Sequence, residues 1–176
     1  MRKAAFLDRD GVINRKAPEG QYITRWKDFQ FMPQVTEAIA ILNRARFSVI
    51  VVSNQRCIAK GLLSIKELEQ IHCRMLERVA AAGASIDAVY YCPHDLQPPC
   101  ACRKPAPGML FRAAKEHLID LPSSWMVGDS DSDVRAGKNA GCKTVRILRN
   151  GATHETDADF FAVSLLQAAQ KLAEIG

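Results

Sequence analysis

The segment Phe6-Leu7-Asp8-Arg9-Asp10-Gly11 places two carboxylates one residue apart directly after a short apolar run. If that run is a buried strand, the pair stands where the strand opens into a loop, and Gly11 lets the chain turn sharply behind it. An ionised carboxylate there can bind Mg²⁺ through one oxygen and attack phosphorus with the other, while a second carboxylate two positions on reaches the leaving oxygen. The same residues also make an ordinary loop opening, so the reading needs support from elsewhere. Three segments offer it. Ser53-Asn54-Gln55 brings a hydroxyl and an amide suited to phosphate oxygens. Arg103-Lys104-Pro105 brings fixed positive charge for a transferring phosphoryl group. Gly128-Asp129-Ser130-Asp131-Ser132-Asp133 brings carboxylates for a hard cation. Singly, each has a plainer reading: Ser53 as a turn residue, Lys104 as a solvated charge, the Asp129 run as a helix cap.

A second set of residues could hold a different metal. Cys92-Pro93-His94 and Cys100-Ala101-Cys102 are separated by five residues, and three thiolates with one imidazole make a closed tetrahedral zinc site. A closed site leaves no position for water, so its role would be structural, pinning the Pro-rich loop Asp95 to Pro99 just before Arg103 and Lys104. A disulfide, or four unconnected buried side chains, are the alternatives. Cys57, Cys73 and Cys142 have no partner spacing and read as packing residues.

These residues must be positioned by the elements around them. Apolar runs bounded by turn residues predict strands at Ala4 to Leu7, Phe47 to Val52, Ala88 to Tyr91, Trp125 to Val127 and Thr144 to Leu148. Helical spacing predicts helices over Val35 to Ala45, Ser64 to Ala82, Gly108 to His117 and Ser132 to Ala140, with a Ser64/Glu67 capping box and C-cap glycines at Gly83 and Gly141. A last amphipathic stretch, Phe160 to Ile175, is expected to pack against the sheet edge. Alternating strand and helix argue for an α/β, Rossmann-like, doubly wound domain with a mainly parallel sheet, whose ligand binds at the carboxyl ends of the strands. The irregular stretches Gly11 to Pro33 and Cys92 to Pro107 are long enough to be functional or metal-pinned.

At 176 residues and 48% hydrophobic content, the chain suits one domain, 1–176, with a substantial core. No run approaches the length of a membrane span, and the N-terminus has no signal-peptide pattern, so a cytoplasmic protein without a membrane partner is expected. The net charge of +5 fits an anionic partner. Without a basic run interleaved with aromatics, a phosphorylated small molecule suits it at least as well as nucleic acid. Nothing demands more than a monomer.

Taken together, the motifs at Asp8, Ser53, Lys104 and Asp129 resemble those of the haloacid dehalogenase superfamily of phosphotransferases, over nearly the whole chain. The resemblance implies that Asp8 is the nucleophile that becomes an aspartyl-phosphate, and that Asp10 is the acid for the leaving alcohol and later the base for water. It implies that Ser53 and Lys104 hold the phosphoryl group. Mg²⁺ would be bound by the Asp8 carboxylate, the Asp10 backbone carbonyl and Asp129, with Asp133 as the second acidic position of the last motif. Asp131 has no matching role.

Asp-x-Asp-Gly with Cys-Pro-His and Cys-x-Cys-Arg-Lys-Pro narrows the resemblance to the D-glycero-D-manno-heptose 1,7-bisphosphate 7-phosphatases and the histidinol-phosphate phosphatases. Tyr90 to His94 and Cys102 to Met109 favour the heptose branch, in which Arg103 would contact the substrate beside Asn54. That branch is capless, and neither interval between motifs leaves room for a cap, so specificity falls on the loop Asn14 to Phe31 and on the zinc loop 92–102. The expected activity is Mg²⁺-dependent hydrolysis of the C7 phosphate of a heptose bisphosphate, with Zn²⁺ structural. A histidinol-phosphate phosphatase is the alternative, suggested by the short zinc loop; a nucleic-acid 3′-end phosphatase and a catalytically silent module are more remote. The chain departs from the family pattern at Cys57, where Gly is usual, in the longer loop Arg15 to Tyr22, and at Ser130, where Lys is often found.

Overall fold

The computed structural model describes residues 1–148 and 156–175. Six strands form one sheet: β1 (Ala4–Leu7), β2 (Ser48–Asn54), β3 (Ala88–Cys92), β4 (Trp125–Gly128), β5 (Lys143–Ile147) and β6 (Phe160–Ala162). Among the described residues five α-helices accompany them, α1 (Val35–Arg44), α2 (Ile65–Ala81), α3 (Gly108–His117), α4 (Asp131–Ala140) and α5 (Leu165–Ile175), besides a 3₁₀ turn at Trp26–Asp28 in the first loop. The strand order is β3-β2-β1-β4-β5-β6 and every pairing is parallel, which tightens the expectation of a mainly parallel sheet.

Parallel strands need crossover helices, and those helices cover both faces. β1 shows how the sequence divides itself between them, because its side chains alternate. Ala5 and Leu7 point into a core completed by α1, α2 and α5, whereas Ala4 and Phe6 point into a second core completed by α3 and α4. All four β1 residues are buried, as expected of the centre of a doubly covered sheet. The chain order reverses beside β1, where β2 lies on one flank and β4 on the other. Connections leave those two strands in opposite directions and open a crevice above β1.

The element ends differ from expectation in ways that matter. β2 continues through Ser53 and Asn54, paired with Tyr91 and Cys92 of β3, because the ladder runs past the last apolar residue. Ser53, Asn54 and Cys92 are therefore held by strand hydrogen bonds rather than by turns. α4 begins at Asp131, one residue early, because Ser130 serves as its N-cap. The stretch Phe160 to Ile175 is not one amphipathic segment. Its first three residues pair with β5 as β6, and Ser164 accepts from Gln167 N (3.2 Å) to start α5, which packs against α1. A three-residue strand followed by Val-Ser carries too little period-2 signal to separate it from a helix start. Among the described residues, no helix is long and apolar enough to cross a membrane.

Candidate active site

At the carboxyl end of β1 the backbone N–H of Asp8 donates to Val127 O (2.9 Å), fixing the Asp8 main chain against β4. Lys104 arrives from the segment after β3. Its Nζ donates to Asp8 Oδ1 (2.7 Å) and to Val52 O (2.7 Å) and pairs with Asp133 Oδ1 (2.6 Å). Asp8, Lys104 and Asp133 are all buried. Asn54 holds the Lys104 main chain reciprocally: Lys104 N donates to Asn54 Oδ1 (3.0 Å) and Asn54 Nδ2 donates to Lys104 O (3.1 Å). Both polar atoms of that amide are thus engaged in placing Lys104.

Two carboxylates around one ammonium leave an excess of negative charge. Burial, followed by the field of Asp133, pushes the Asp8 carboxyl up to about 7 against the opposing pull of Lys104. Burial works to lower Lys104, but Asp133 and Asp8 outweigh it and hold the ammonium well above its ordinary value. Asp129 adds a third carboxylate, 3.4 Å from Lys16 Nζ of the first loop. One oxygen each from Asp8, Asp129 and Asp133 lies within 4.8 Å of the others. An all-oxygen, net-negative set of this kind fits a hard divalent cation. The Asp10 carboxylate is not one of the three. Gly128 makes the arrangement possible, because a Cβ there would sit 2.1 Å from Asp133 Cβ.

Asp10 is held differently. Arg9 Nη2 donates to Oδ1 (3.1 Å) and Oδ2 (3.0 Å) and Arg9 Nε to Oδ2 (3.2 Å), while Asn14 Nδ2 (2.9 Å) and Gln55 Nε2 (2.9 Å) complete the set. Burial tends to raise this carboxyl, yet Arg9 and the donated hydrogen bonds prevail and lower it. Gln55 Nε2 also donates to Ser53 Oγ (2.7 Å), which links Asp10 to the hydroxyl at the end of β2.

A cavity of about 250 Å³ sits on these groups, lined among others by Asp8, Asp10, Lys16, Ser53, Arg103 and Lys104. A second, of about 280 Å³, is lined by the first loop from Lys16 to Ile23 and shares Asp10, Lys16 and Asn54 with it. Larger clefts of about 510 and 540 Å³ lie along α2 and β3 but contain none of the strand-end carboxylates. Chemistry rather than size singles out the smaller pair.

Cys92, His94, Cys100 and Cys102 converge beside this mouth. Cys92 Sγ lies 3.6 Å from Cys100 Sγ and 3.5 Å from His94 Nδ1; Cys102 Sγ lies 3.5 Å from Cys100 Sγ and 3.2 Å from His94 Nδ1. A tetrahedron with metal–sulfur bonds of about 2.3 Å has edges near 3.8 Å, so the donors fit Zn²⁺. The sulfur–sulfur distances, 3.5 and 3.6 Å, are well beyond the roughly 2.05 Å of a disulfide bond and suit a shared metal better. Arg103 follows the last of them and donates from Nη1 to His94 O (3.3 Å). Arg56 Nε donates to Asp95 Oδ1 (2.5 Å), tying the same loop to the end of β2.

Several residues escaped the sequence reading. Arg9 falls at the position between the two aspartates, where the motif leaves the residue open, and Asn14 and Gln55 look like loop amides. Asp133 appeared only as a second acidic position, yet it is the partner of Lys104. His72 does carry a signal: it continues the buried α2 stripe Leu68, Met75, Val79, and a polar residue on such a stripe needs a partner. Asp131, by contrast, forms an exposed pair with Arg135 (3.1 Å), in keeping with its lack of an assigned role.

A HAD-hydrolase-like family model matches residues 101–174. The chain is 39% identical to the D-glycero-D-manno-heptose-1,7-bisphosphate 7-phosphatase of Thermosynechococcus vestitus, with 96% of this chain and 94% of that one covered. It is also 39% identical to the D-glycero-beta-D-manno-heptose-1,7-bisphosphate 7-phosphatase of Pseudomonas aeruginosa, with 83% and 81% covered. The crystal structure of the D,D-heptose 1,7-bisphosphate phosphatase from B. bronchiseptica, complexed with magnesium and phosphate, aligns with a TM-score of 0.87 at 31% identity over 99% of both chains.

Proposed function

The chain belongs to the D-glycero-D-manno-heptose-1,7-bisphosphate 7-phosphatase family of HAD-like hydrolases, and from that premise we propose how its residues remove the C7 phosphate. It is a phosphoric monoester hydrolase. The observation that carries the mechanism is Lys104 Nζ bound at once to Asp8 and Asp133 at the end of the central strand.

Asp8 Oδ attacks phosphorus in line, the bond from phosphorus to the C7 oxygen breaks, and Asp10, which must take up a proton against the pull of Arg9 to serve as the acid, delivers it to that oxygen as it leaves. Water then attacks the aspartyl-phosphate, Asp10 takes its proton, and the bond from phosphorus to Asp8 breaks to release inorganic phosphate. Lys104 and the Ser53 hydroxyl bind the phosphoryl oxygens, and Asn54 acts by fixing Lys104 beside them. Arg103, reaching over from the metal-pinned loop, contacts the sugar. The Asp8 and Asp129 carboxylates and the Asp10 carbonyl would hold Mg²⁺, which when bound would supply positive charge against the phosphoryl oxygens. Cys92, His94, Cys100 and Cys102 would hold Zn²⁺, which would pin the loop that presents Arg103 and Lys104. The chain acts as one capless domain, a cytoplasmic monomer with a phosphorylated sugar as its partner, and recognition falls on the first loop and the zinc loop.

The test is kcat/KM with Mg²⁺ on both anomers of heptose 1,7-bisphosphate, histidinol phosphate and a 3′-phosphorylated oligonucleotide. A preference of about a hundredfold for a heptose anomer, roughly 2.7 kcal/mol of transition-state binding, is expected. Equal or better turnover of histidinol phosphate would overturn the sugar assignment while leaving the phosphatase mechanism intact.

A further inference from the structure

Arg9 is among the most completely buried side chains of the protein, at 1% exposure, and His72 is 5% exposed. The guanidinium spends Nε and Nη2 on Asp10, shares Nη2 with Gln55 Oε1 (3.2 Å), and sets Nη1 3.1 Å from His72 Nε2. A guanidinium stays protonated and can only donate. His72 Nε2 must therefore be the acceptor, and the ring proton sits on Nδ1. Burial and the adjacent Arg9 charge both hold the imidazole neutral, in agreement with that tautomer. The centroid of the Phe29 ring lies 5.9 Å from the guanidinium carbon, so apolar surface borders this ion pair. Without an acceptor at position 72, Nη1 would be buried and unsatisfied, and the guanidinium would gain freedom to turn away from Asp10 or to draw Gln55 from it.

We propose that His72 is a positioning residue for the leaving-group step: as a neutral acceptor on α2 it fixes the Arg9 guanidinium, and through Arg9 and Gln55 it fixes the rotamer of the Asp10 carboxylate. The proposal rests on the reading of Asp10 as acid and base given above. It deepens that reading by tracing Asp10's orientation to a helix that carries no other group of the site. A merely structural His72 would affect every substrate alike. A positioning residue for the acid affects most the substrate whose leaving oxygen needs a proton.

The experiment compares the wild type with H72Q, H72L and D10N on D-glycero-D-manno-heptose 1,7-bisphosphate and on p-nitrophenyl phosphate, whose phenolate leaves with little need of protonation. kcat/KM is the quantity to compare, because it reports steps through phosphoryl transfer to Asp8 and not the later hydrolysis common to both substrates. H72L should lose about tenfold or more on the sugar and at least fivefold less on the aryl ester, while H72Q, which keeps an acceptor near the same place, should stay within about threefold of wild type. Equal losses on both substrates, or an H72Q as impaired as H72L, would overturn the proposal. D10N separates the two layers of argument. A selective sugar loss in D10N without one in H72L rejects only the role of His72, whereas a D10N loss equal on both substrates rejects the acid itself. Should H72L fail to fold, long-range ¹H–¹⁵N spectra of the wild-type protein still decide: a proton on Nδ1 and none on Nε2 supports the proposal, and a proton on Nε2 refutes it.

Discussion

The carboxylate cluster around Lys104 and the thiolate cluster around His94 lie side by side at the strand ends, but they are assembled by opposite routes. The Cys/His donors all come from residues 92–102, so local chain geometry brings them together. Asp8, Asp129 and Asp133 come from the ends of β1 and β4 and the first turn of α4, and their counter-cation comes from the loop after β3. The first cluster can form wherever its loop is sound. The second exists only if strand order and register are right, and it carries buried charge that must be balanced. Removing a member should therefore have different consequences on the two sides.

The largest effect belongs to Asp8, the proposed nucleophile. Asp8→Asn keeps the shape but cannot form the aspartyl-phosphate, and turnover should fall by about a thousandfold or more while the circular dichroism spectrum is unchanged. A variant with residual activity near wild type would show that the carboxylate cluster is only architectural. Next comes its counter-cation. Lys104→Met leaves Asp8 and Asp133 buried without their shared cation, which should cost about 3 to 5 kcal/mol in urea unfolding as well as abolish turnover. Loss of less than about 1 kcal/mol would mean that the ammonium does not balance those carboxylates.

Removing the proposed zinc should act locally. Stripping the metal with a chelator, or replacing Cys100 with Ser, is expected to lower Tm by about 5 to 10 °C, in line with loss of a stabilising ligand. Amide exchange should rise first in residues 92–102 and leave β1 and β4 protected. Exchange rising equally across the sheet would show that the two clusters are one cooperative unit.

The same contrast explains what could be read from the sequence. The convergence of Asp8, Asp10, Ser53, Lys104 and Asp129 at one sheet edge was legible because each ends an apolar run or sits in a short motif, and alternation of strand and helix implies that strand ends share an edge. The Cys-x-His and Cys-x-Cys pairs were legible by spacing alone. The roles of Arg9, Gln55 and His72 were not, although the buried α2 stripe marks His72 as needing a partner, because the partners lie 46 and 63 positions apart, which spacing cannot express. β6 was missed for a related reason: three residues are too few to display a period, and only pairing with β5 makes them a strand.

The smallest expected effect concerns the boundary between these readings, the neutral imidazole under Asp10. His72 titrates from an ordinary value of 6.5 down to about 3 in the folded protein, through burial first and Arg9 second, with Asp10 opposing. Besides those two charges, the Tyr91 ring of β3 lies 5.8 Å away. The unfolded chain then binds a proton at this site that the folded chain refuses, so stability is full above pH 6.5 and falls as the pH drops toward 3. At pH 5 the loss from this one group should be about 2 kcal/mol. Urea unfolding from pH 7.5 to 5 would reveal it as a difference from H72Q, which carries no titrating group there and should show a shallower decline. Parallel curves for the two proteins would mean that the imidazole is protonated in the folded state, and a protonated ring could not accept from Arg9.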